Sequence, residues 1–194
     1  MAVLHVPSSA NAYRRQKQIE DCLYNNLLQR PYSSVSVSDL CCQLDLSRKS
    51  FYYYFPDKDS CFRSIVNRLL RRCVLLITTG MPEDSTQEDK IAAFLSYWKN
   101  ERNFLDMILR NNLLFLVMDQ CNLFLTHEEK FIQKYLNTPN LQDDPFVMRC
   151  YVNMQITIIL QWHMHGYGES LEEMVLKYRR LFYQPLLNLD KKEQ

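Results

Sequence analysis

Between Ser47 and Phe55 the chain reads Ser-Arg-Lys-Ser-Phe-Tyr-Tyr-Tyr-Phe. Phe51 and Phe55 are four positions apart, so on a helix they share a face and can be buried together. Arg48, Lys49, Tyr52 and Tyr53 then fall on the other side. Three consecutive tyrosines cannot all enter one core, because successive helical residues point ~100° apart. Arginine and lysine donate to guanine edges and to phosphates. Tyrosine hydroxyls donate to phosphates while their rings pack on sugars or thymine methyls. The chemistry open to this row is therefore recognition of a nucleic-acid duplex. Parts for catalysis are missing: no nucleophile, base and orienting group stand at workable spacing, and no paired carboxylates sit near a glycine-rich loop. His163 and His165 are two apart, on different sides of a helix, and no Cys-x-x-Cys occurs. Neither a metal site nor a cofactor is expected.

Such a row must be held on a short, well-started helix, and the flanking residues supply one. Ser47 is an N-cap residue ahead of Arg48–Tyr54. Ser36 with Asp39 three residues on forms a capping-box pattern that opens a helix over Val37–Leu44. Asp45-Leu46 leaves only a tight turn between the two, which is a helix-turn-helix arrangement. Ser34 and Ser36, at the start of the second helix, are candidate phosphate donors. An earlier helix carries Ile19, Cys22, Leu23 and Leu27 on one face. Arg14, Arg15 and Lys17 precede it, and the two arginines could reach phosphate or minor groove from an N-terminal arm. After Phe55-Pro56-Asp57 a long apolar seam of Phe62, Ile65, Val66, Leu69, Leu70, Cys73, Val74 and Ile77 marks a fourth helix. Beyond a loop over Gly80–Thr86, the spacing predicts helices over 87–99, 102–111, 112–125, 127–137, 144–165 and 170–187. No strand is indicated, so the fold class is all-α.

Composition removes other classes. Of 194 residues, 47% are hydrophobic and 23% charged, the profile of a chain with a real core. Three glycines are too few for a dinucleotide fingerprint or a P-loop. The longest apolar runs, Leu113–Met118 and Ile156–Leu160, fall far short of the ~18 residues that span a bilayer. The N-terminus lacks a basic segment ahead of an apolar one. A cytoplasmic protein without a membrane role is the expectation. Through Arg72 there are 11 Lys and Arg against 6 Asp and Glu; from Cys73 onward the counts are 12 and 16. A basic front and an acidic remainder fit a chain that meets a polyanion with its first part only. The seven cysteines, an odd number without a disulfide pattern, read as free and mostly buried thiols.

The stretch Val37–Phe62 resembles the DNA-binding domain of TetR-family transcriptional regulators. Ser47, Phe51, Tyr52, Tyr54, Phe55, Lys58 and Phe62 fall on that family's characteristic positions. Asp45 and Lys49 stand where glycines are usual, and Asp59 where glutamate is usual. The resemblance implies a TetR-like fold: a three-helix helix-turn-helix head over 1–57 and a helical ligand-binding and dimerisation domain over 58–194. It implies that Ser47, Arg48, Lys49, Ser50, Tyr52 and Tyr53 touch the major groove and its phosphates. Tyr54 and Lys58 would meet backbone phosphate, with Ser36 beside them. It also implies a homodimer through the last two helices, a near-palindromic operator, and release of a repressor by a small apolar ligand. On its own terms the penultimate helix carries a stripe of Val147, Tyr151, Met154, Ile158 and Trp162, with Cys150, Thr157 and Gln161 beside it. Candidate pocket residues are Phe94, Tyr97, Trp98, Phe104, Met107, Met118, Met154 and Trp162, since Met and aromatics suit an adaptable apolar cavity. The alternative keeps the DNA-binding head and gives the C-terminal domain a protein partner, as in a co-activator. A helical enzyme with a vestigial head is disfavoured by the missing catalytic set.

Overall fold

The computed structural model describes residues 9–127 and 144–182. Among them are nine α-helices, one 3-10 turn and no strand. The helices are α1 (Ala10–Gln29), α2 (Val37–Gln43), α3 (Arg48–Tyr54), α4 (Lys58–Thr79), α5 (Gln87–Asn100), α6 (Arg102–Arg110), α7 (Leu114–His127), α8 (Pro145–Met164) and α9 (Leu171–Phe182). Most of the helix expected over 127–137, and the end of the one over 170–187, lie outside the described residues. Helix α1 starts earlier than its apolar face suggests. The Ser9 hydroxyl accepts from the Ala12 amide at 3.2 Å, and Ala10 and Ala12 favour helix. Arg14 and Arg15 therefore sit within α1 and not on an arm before it.

Packing divides the described chain into two compact units, one of residues 9–72 with 103–127, the other of 73–102 with 144–182. This grouping follows packing, whereas the division at 57/58 expected from the sequence follows role.

The first unit is built on the faces that periodicity selects. Ile19, Leu23, Leu27, Leu40, Phe51, Phe55 and Phe62 are completely buried. The α4 seam is buried here at Phe62, Ile65, Val66 and Leu69, with Leu70 half-buried; its continuation in the second unit is buried at Cys73 and half-buried at Val74 and Ile77. Phe62 takes the Tyr32 ring edge-on at 6.2 Å and stacks on Phe104 at 6.4 Å. On α1 the buried face differs from the expected one. Cys22 is half-buried, its thiol donating to Gln43 Oε1, while Glu20 is buried. Glu20 can be there because it has partners. The Ser64 hydroxyl donates to its Oε1 at 2.7 Å, and Arg68 Nε lies 3.1 Å from its Oε2. Arg68 also reaches Asp21 at 2.9 Å. These contacts tie α1 to α4.

The second unit has a core of Ile91, Leu95, Trp162, Met174, Val175 and Tyr178. Phe94, Tyr151 and Phe182 add ring contacts to Tyr178 and to each other. The stripe expected on α8 divides accordingly. Tyr151 and Trp162 point into this core, while Phe146, Cys150, Thr157, Gln161 and Met164 are exposed. Spacings of three and four residues place the exposed five along one side of α8.

All seven cysteines are free. Burial pushes the thiols of Cys73 and Cys121 up to about 12 and raises that of Cys61 well above its ordinary value, which keeps these three protonated and inert. Cys41, Cys61, Cys73 and Cys121 are buried, in line with the expectation of mostly buried thiols, while Cys42 and Cys150 are exposed.

Candidate nucleic-acid interface

Helix α2 ends in a left-handed residue. The Leu46 amide donates to Cys41 O at 2.8 Å and the Asp45 amide to Cys42 O at 3.4 Å, the two bonds of a Schellman motif. Asp45 is its C′ residue, with φ of 49°. Aspartate tolerates this conformation better than most side chains but is strained relative to glycine. Asp45→Gly should raise stability by about 1 kcal/mol. Urea unfolding monitored by circular dichroism would show it; unchanged or lower stability would mean that the Asp45 side chain itself holds the turn.

Immediately after the turn, Ser47 caps α3. Its hydroxyl accepts from the Ser50 amide at 3.0 Å and lies 2.8 Å from the Ser50 hydroxyl. Phe51 and Phe55 anchor the helix inward, 5.9 Å apart. With those two fixed, the helical period turns Arg48, Lys49, Tyr52 and Tyr53 outward, and all four are exposed, Tyr53 at 56%. The row is also partly ordered. Arg48 Nη2 donates to the Tyr52 hydroxyl at 3.4 Å, and the Tyr53 and Tyr54 rings meet edge-to-face at 5.1 Å. Tyr54 is half-buried. Ser47, Arg48, Lys49, Ser50, Tyr52, Tyr53 and Tyr54 thus share one short, capped helix and its cap.

Ser36 and Lys58 stand on neighbouring elements. Ser36 completes the capping box of α2: its hydroxyl accepts from the Asp39 amide at 3.1 Å, and Asp39 accepts from the Ser36 amide at 2.8 Å. These bonds hold the Asp39 carboxyl below its ordinary range. The Ser36 hydroxyl keeps its own proton to donate.

Lys58 has a more committed place than the sequence indicates. A 3-10 turn over Tyr32–Ser34 follows Pro31, a feature that the weak alternation of that stretch does not reveal. Lys58 Nζ donates to Tyr32 O at 2.6 Å and Val35 O at 2.7 Å and lies 3.9 Å from the Tyr32 ring centre. Burial draws its ammonium below the usual lysine value, with Asp59 opposing. Two of its three donors hold the segment that leads into α2, and one remains. The same segment is held from behind: Asn111, after α6, accepts from the Tyr32 amide at 2.6 Å, and Arg110 donates to Leu27 O and Leu28 O.

Sequence reasoning missed a cleft on this side of the head. The first turns of α1 and the end of α3 enclose a space of about 570 Å³ lined by Ser9, Asn11, Ala12, Arg14, Arg15, Gln18, Tyr53 and Tyr54. Of these, Arg14, Arg15, Tyr53 and Tyr54 carried a signal in the sequence, but nothing there joined the arginines to the tyrosines.

The eight candidate pocket residues do not assemble in one unit. Phe104 and Met107 are buried on α6 and Met118 is half-buried on α7, all in the first unit. Phe94, Tyr97, Trp98, Met154 and Trp162 belong to the second. There Phe94 meets Tyr178, Tyr97 meets Trp98, and Trp162 packs on Tyr167 and donates to Glu169 O at 3.1 Å. His163 pairs with the Tyr167 hydroxyl and His165 with Gln161 O. Among the described residues no group of three or more His, Cys, Asp or Glu is placed to hold a metal ion. No described helix is long and apolar enough to cross a membrane.

The site and the fold define a helix-turn-helix protein on an all-helical body. Residues 26–65 match the family model described as bacterial regulatory proteins, tetR family. Over 67 residues the chain is 33% identical to the HTH-type transcriptional regulator EthR of Mycobacterium tuberculosis, a match covering 33% of this chain and 31% of that relative. The chain thus aligns with about a third of the length of the curated relatives that it matches. Solved structures resemble it over nearly its full length. A TetR-family protein from Syntrophomonas wolfei superposes with a TM-score of 0.61 at 14% identity, over 91% of this chain and 98% of that one. The Thermus thermophilus repressor FadR, solved with lauroyl-CoA, gives 0.58 at 16% identity, over 89% and 96%. At such identities the likeness speaks for the fold. Residues 26–65 thus match the DNA-binding domain of tetR-family regulators, and the fold is similar to that of solved TetR-family proteins.

Proposed function

We propose that the protein is a homodimeric, sequence-specific DNA-binding regulator, a cytoplasmic repressor that a small apolar ligand releases from its operator. The observation that carries this reading is the outward row of Arg48, Lys49, Tyr52 and Tyr53 on a capped helix behind a tight turn. In this reading residues 1–57 are the reading head and 58–194 the ligand-binding and dimerisation domain. Arg48 and Lys49 reach base edges or phosphates in the major groove, with Tyr52 and Tyr53 on sugars and thymine methyls. Ser36, Ser47, Ser50, Tyr54 and the remaining donor of Lys58 set the register on the backbone.

The exposed side of α8, with Phe146 at 73% and Met164 at 56%, supports pairing of two copies through α8 and α9, where Leu176 is also 60% exposed. Single exposed apolar residues are ordinary, but Phe146, Cys150 and Met164 along one side of α8, with the uncharged Thr157 and Gln161 between them, fit a self-complementary interface. Two heads related by a twofold axis need half-sites ~34–36 Å apart or a multiple of it. FadR's lauroyl-CoA complex supports an effector with a long apolar part, and of the expected pocket residues Phe94, Tyr97, Trp98, Met154 and Trp162, which share one unit, are those we assign to its pocket. An effector that binds one arrangement of the two heads better shifts DNA affinity by that difference.

Selection of bound duplexes from a random pool tests the reading. Inverted repeats with half-sites one or two helical turns apart are the expected outcome. A monomer in sedimentation at micromolar concentration, with no enriched repeat, would overturn it.

A further inference from the structure

We propose that the cleft between α1 and the end of α3 is a second DNA contact, which grips the sugar-phosphate backbone outside the base pairs read by α3. The proposal rests on the DNA-binding reading above and extends the footprint of each head. The cleft is lined by Asn11, Arg14, Arg15, Gln18, Tyr53 and Tyr54, with a volume of about 570 Å³, larger than one phosphate needs. Apart from Ala12, its side chains are cations, amides and hydroxyls, and no carboxylate is among them. Amides and hydroxyls donate to phosphate and sugar oxygens, and arginine pairs with phosphate through two parallel bonds.

Charge and continuity point to one occupant. Neither Arg14 nor Arg15 forms an ion pair with a described carboxylate, while the Arg63, Arg68 and Arg179 guanidiniums do. The cleft shares Tyr53 and Tyr54 with α3, so a strand leaving the recognition groove at Tyr53 meets the arginines next. The first turn of α1 is already capped by Ser9, so the side chains, and not the helix end, make the contact.

The test uses the full chain and a duplex selected from the random pool, with ten or more base pairs flanking the selected sequence on each side. Hydroxyl-radical footprinting reads the backbone directly. The chain should protect the sugars of the half-site core and, beyond it, a separate outer set. The variant R14Q/R15Q should lose the outer protections and keep the inner ones, and R14K/R15K should restore part of them. Removing two phosphate contacts from each of the two heads should also shrink the affinity ratio between 50 and 200 mM salt by roughly a hundredfold. Identical footprints and salt dependence for the chain and R14Q/R15Q would overturn the proposal while leaving the DNA-binding reading intact. If inner and outer protections vanish together at protein concentrations that saturate the unsubstituted chain's site, the cleft is not a separate contact and the proposal also fails. A chain that binds no duplex overturns both readings.

Discussion

Arg68→Met should lower stability by about 3 kcal/mol near pH 7 and by much less at pH 4. Arg68 holds Glu20 Oε2 at 3.1 Å, and Glu20 is only 4% exposed. Removing one partner of a buried pair strands the other charge, at a cost of about 3–5 kcal/mol. The lower end applies here because the Arg68 side chain is itself 27% exposed. The pH dependence follows from Glu20. Burial raises its carboxyl above the ordinary value, with Ser64, Arg68 and Gln16 pulling the other way. A raised folded-state value means that the native chain holds this proton more tightly than the unfolded chain. Its favourable contribution is complete below the ordinary glutamate range and is lost as pH rises through the folded value. Without Arg68 a lowering influence disappears, so the folded value climbs and the loss grows with pH. Adding E20Q to R68M removes the stranded charge and should recover much of the stability at pH 7. Urea titrations at pH 4 and pH 7.5 on the unsubstituted chain and the two variants measure it. Equal losses at both pH values would show that Arg68 contributes by packing alone.

Such a buried carboxylate shows how far the sequence carries. Helix α3 was legible to the residue because its determinants are local: Ser47 caps it, and Phe51 and Phe55 lie at helical spacing. The Ser36–Asp39 box placed α2 for the same reason. What was illegible depends on partners distant in the chain. Lys58 reads as an exposed cation at a helix start, yet its carbonyl partners are 26 and 23 positions away. Asn111 gives no signal, since the Tyr32 amide it holds lies 79 positions earlier. On α1, Cys22 fits the apolar face by type, but Glu20 is buried because Ser64 and Arg68 on α4 meet it. The cleft was missed because Asn11 and Gln18 gain meaning only beside Tyr53 and Tyr54, which α3 brings to them. The α8 stripe failed in part for a related reason: periodicity finds an apolar helix but does not say which side meets its own core.

Lys58→Met should weaken binding to specific and random duplexes by a similar factor and reduce the magnitude of the salt slope of the dimer by about two, one per head. The methionine keeps an apolar stem over the Tyr32 ring and removes the ammonium. Two effects follow, and they separate. In the free protein, the Val35 carbonyl loses its lysine donor, while the Tyr32 carbonyl keeps the Val35 amide at 3.2 Å. Leaving a buried acceptor unpaired costs about 1–3 kcal/mol, which urea unfolding reads directly. On DNA, the remaining donor of Lys58 meets a phosphate in the proposed interface, and one lost phosphate contact changes the slope by ~0.9. A contact to phosphate carries no base information, so the ratio of specific to random affinity should hold. K58R is the control, since its guanidinium can serve both carbonyl and phosphate. If K58M loses stability and affinity while the salt slope stays unchanged, Lys58 acts only by holding the 3-10 turn ahead of α2. The phosphate contacts of the head would then fall to α3, Ser36 and the cleft arginines.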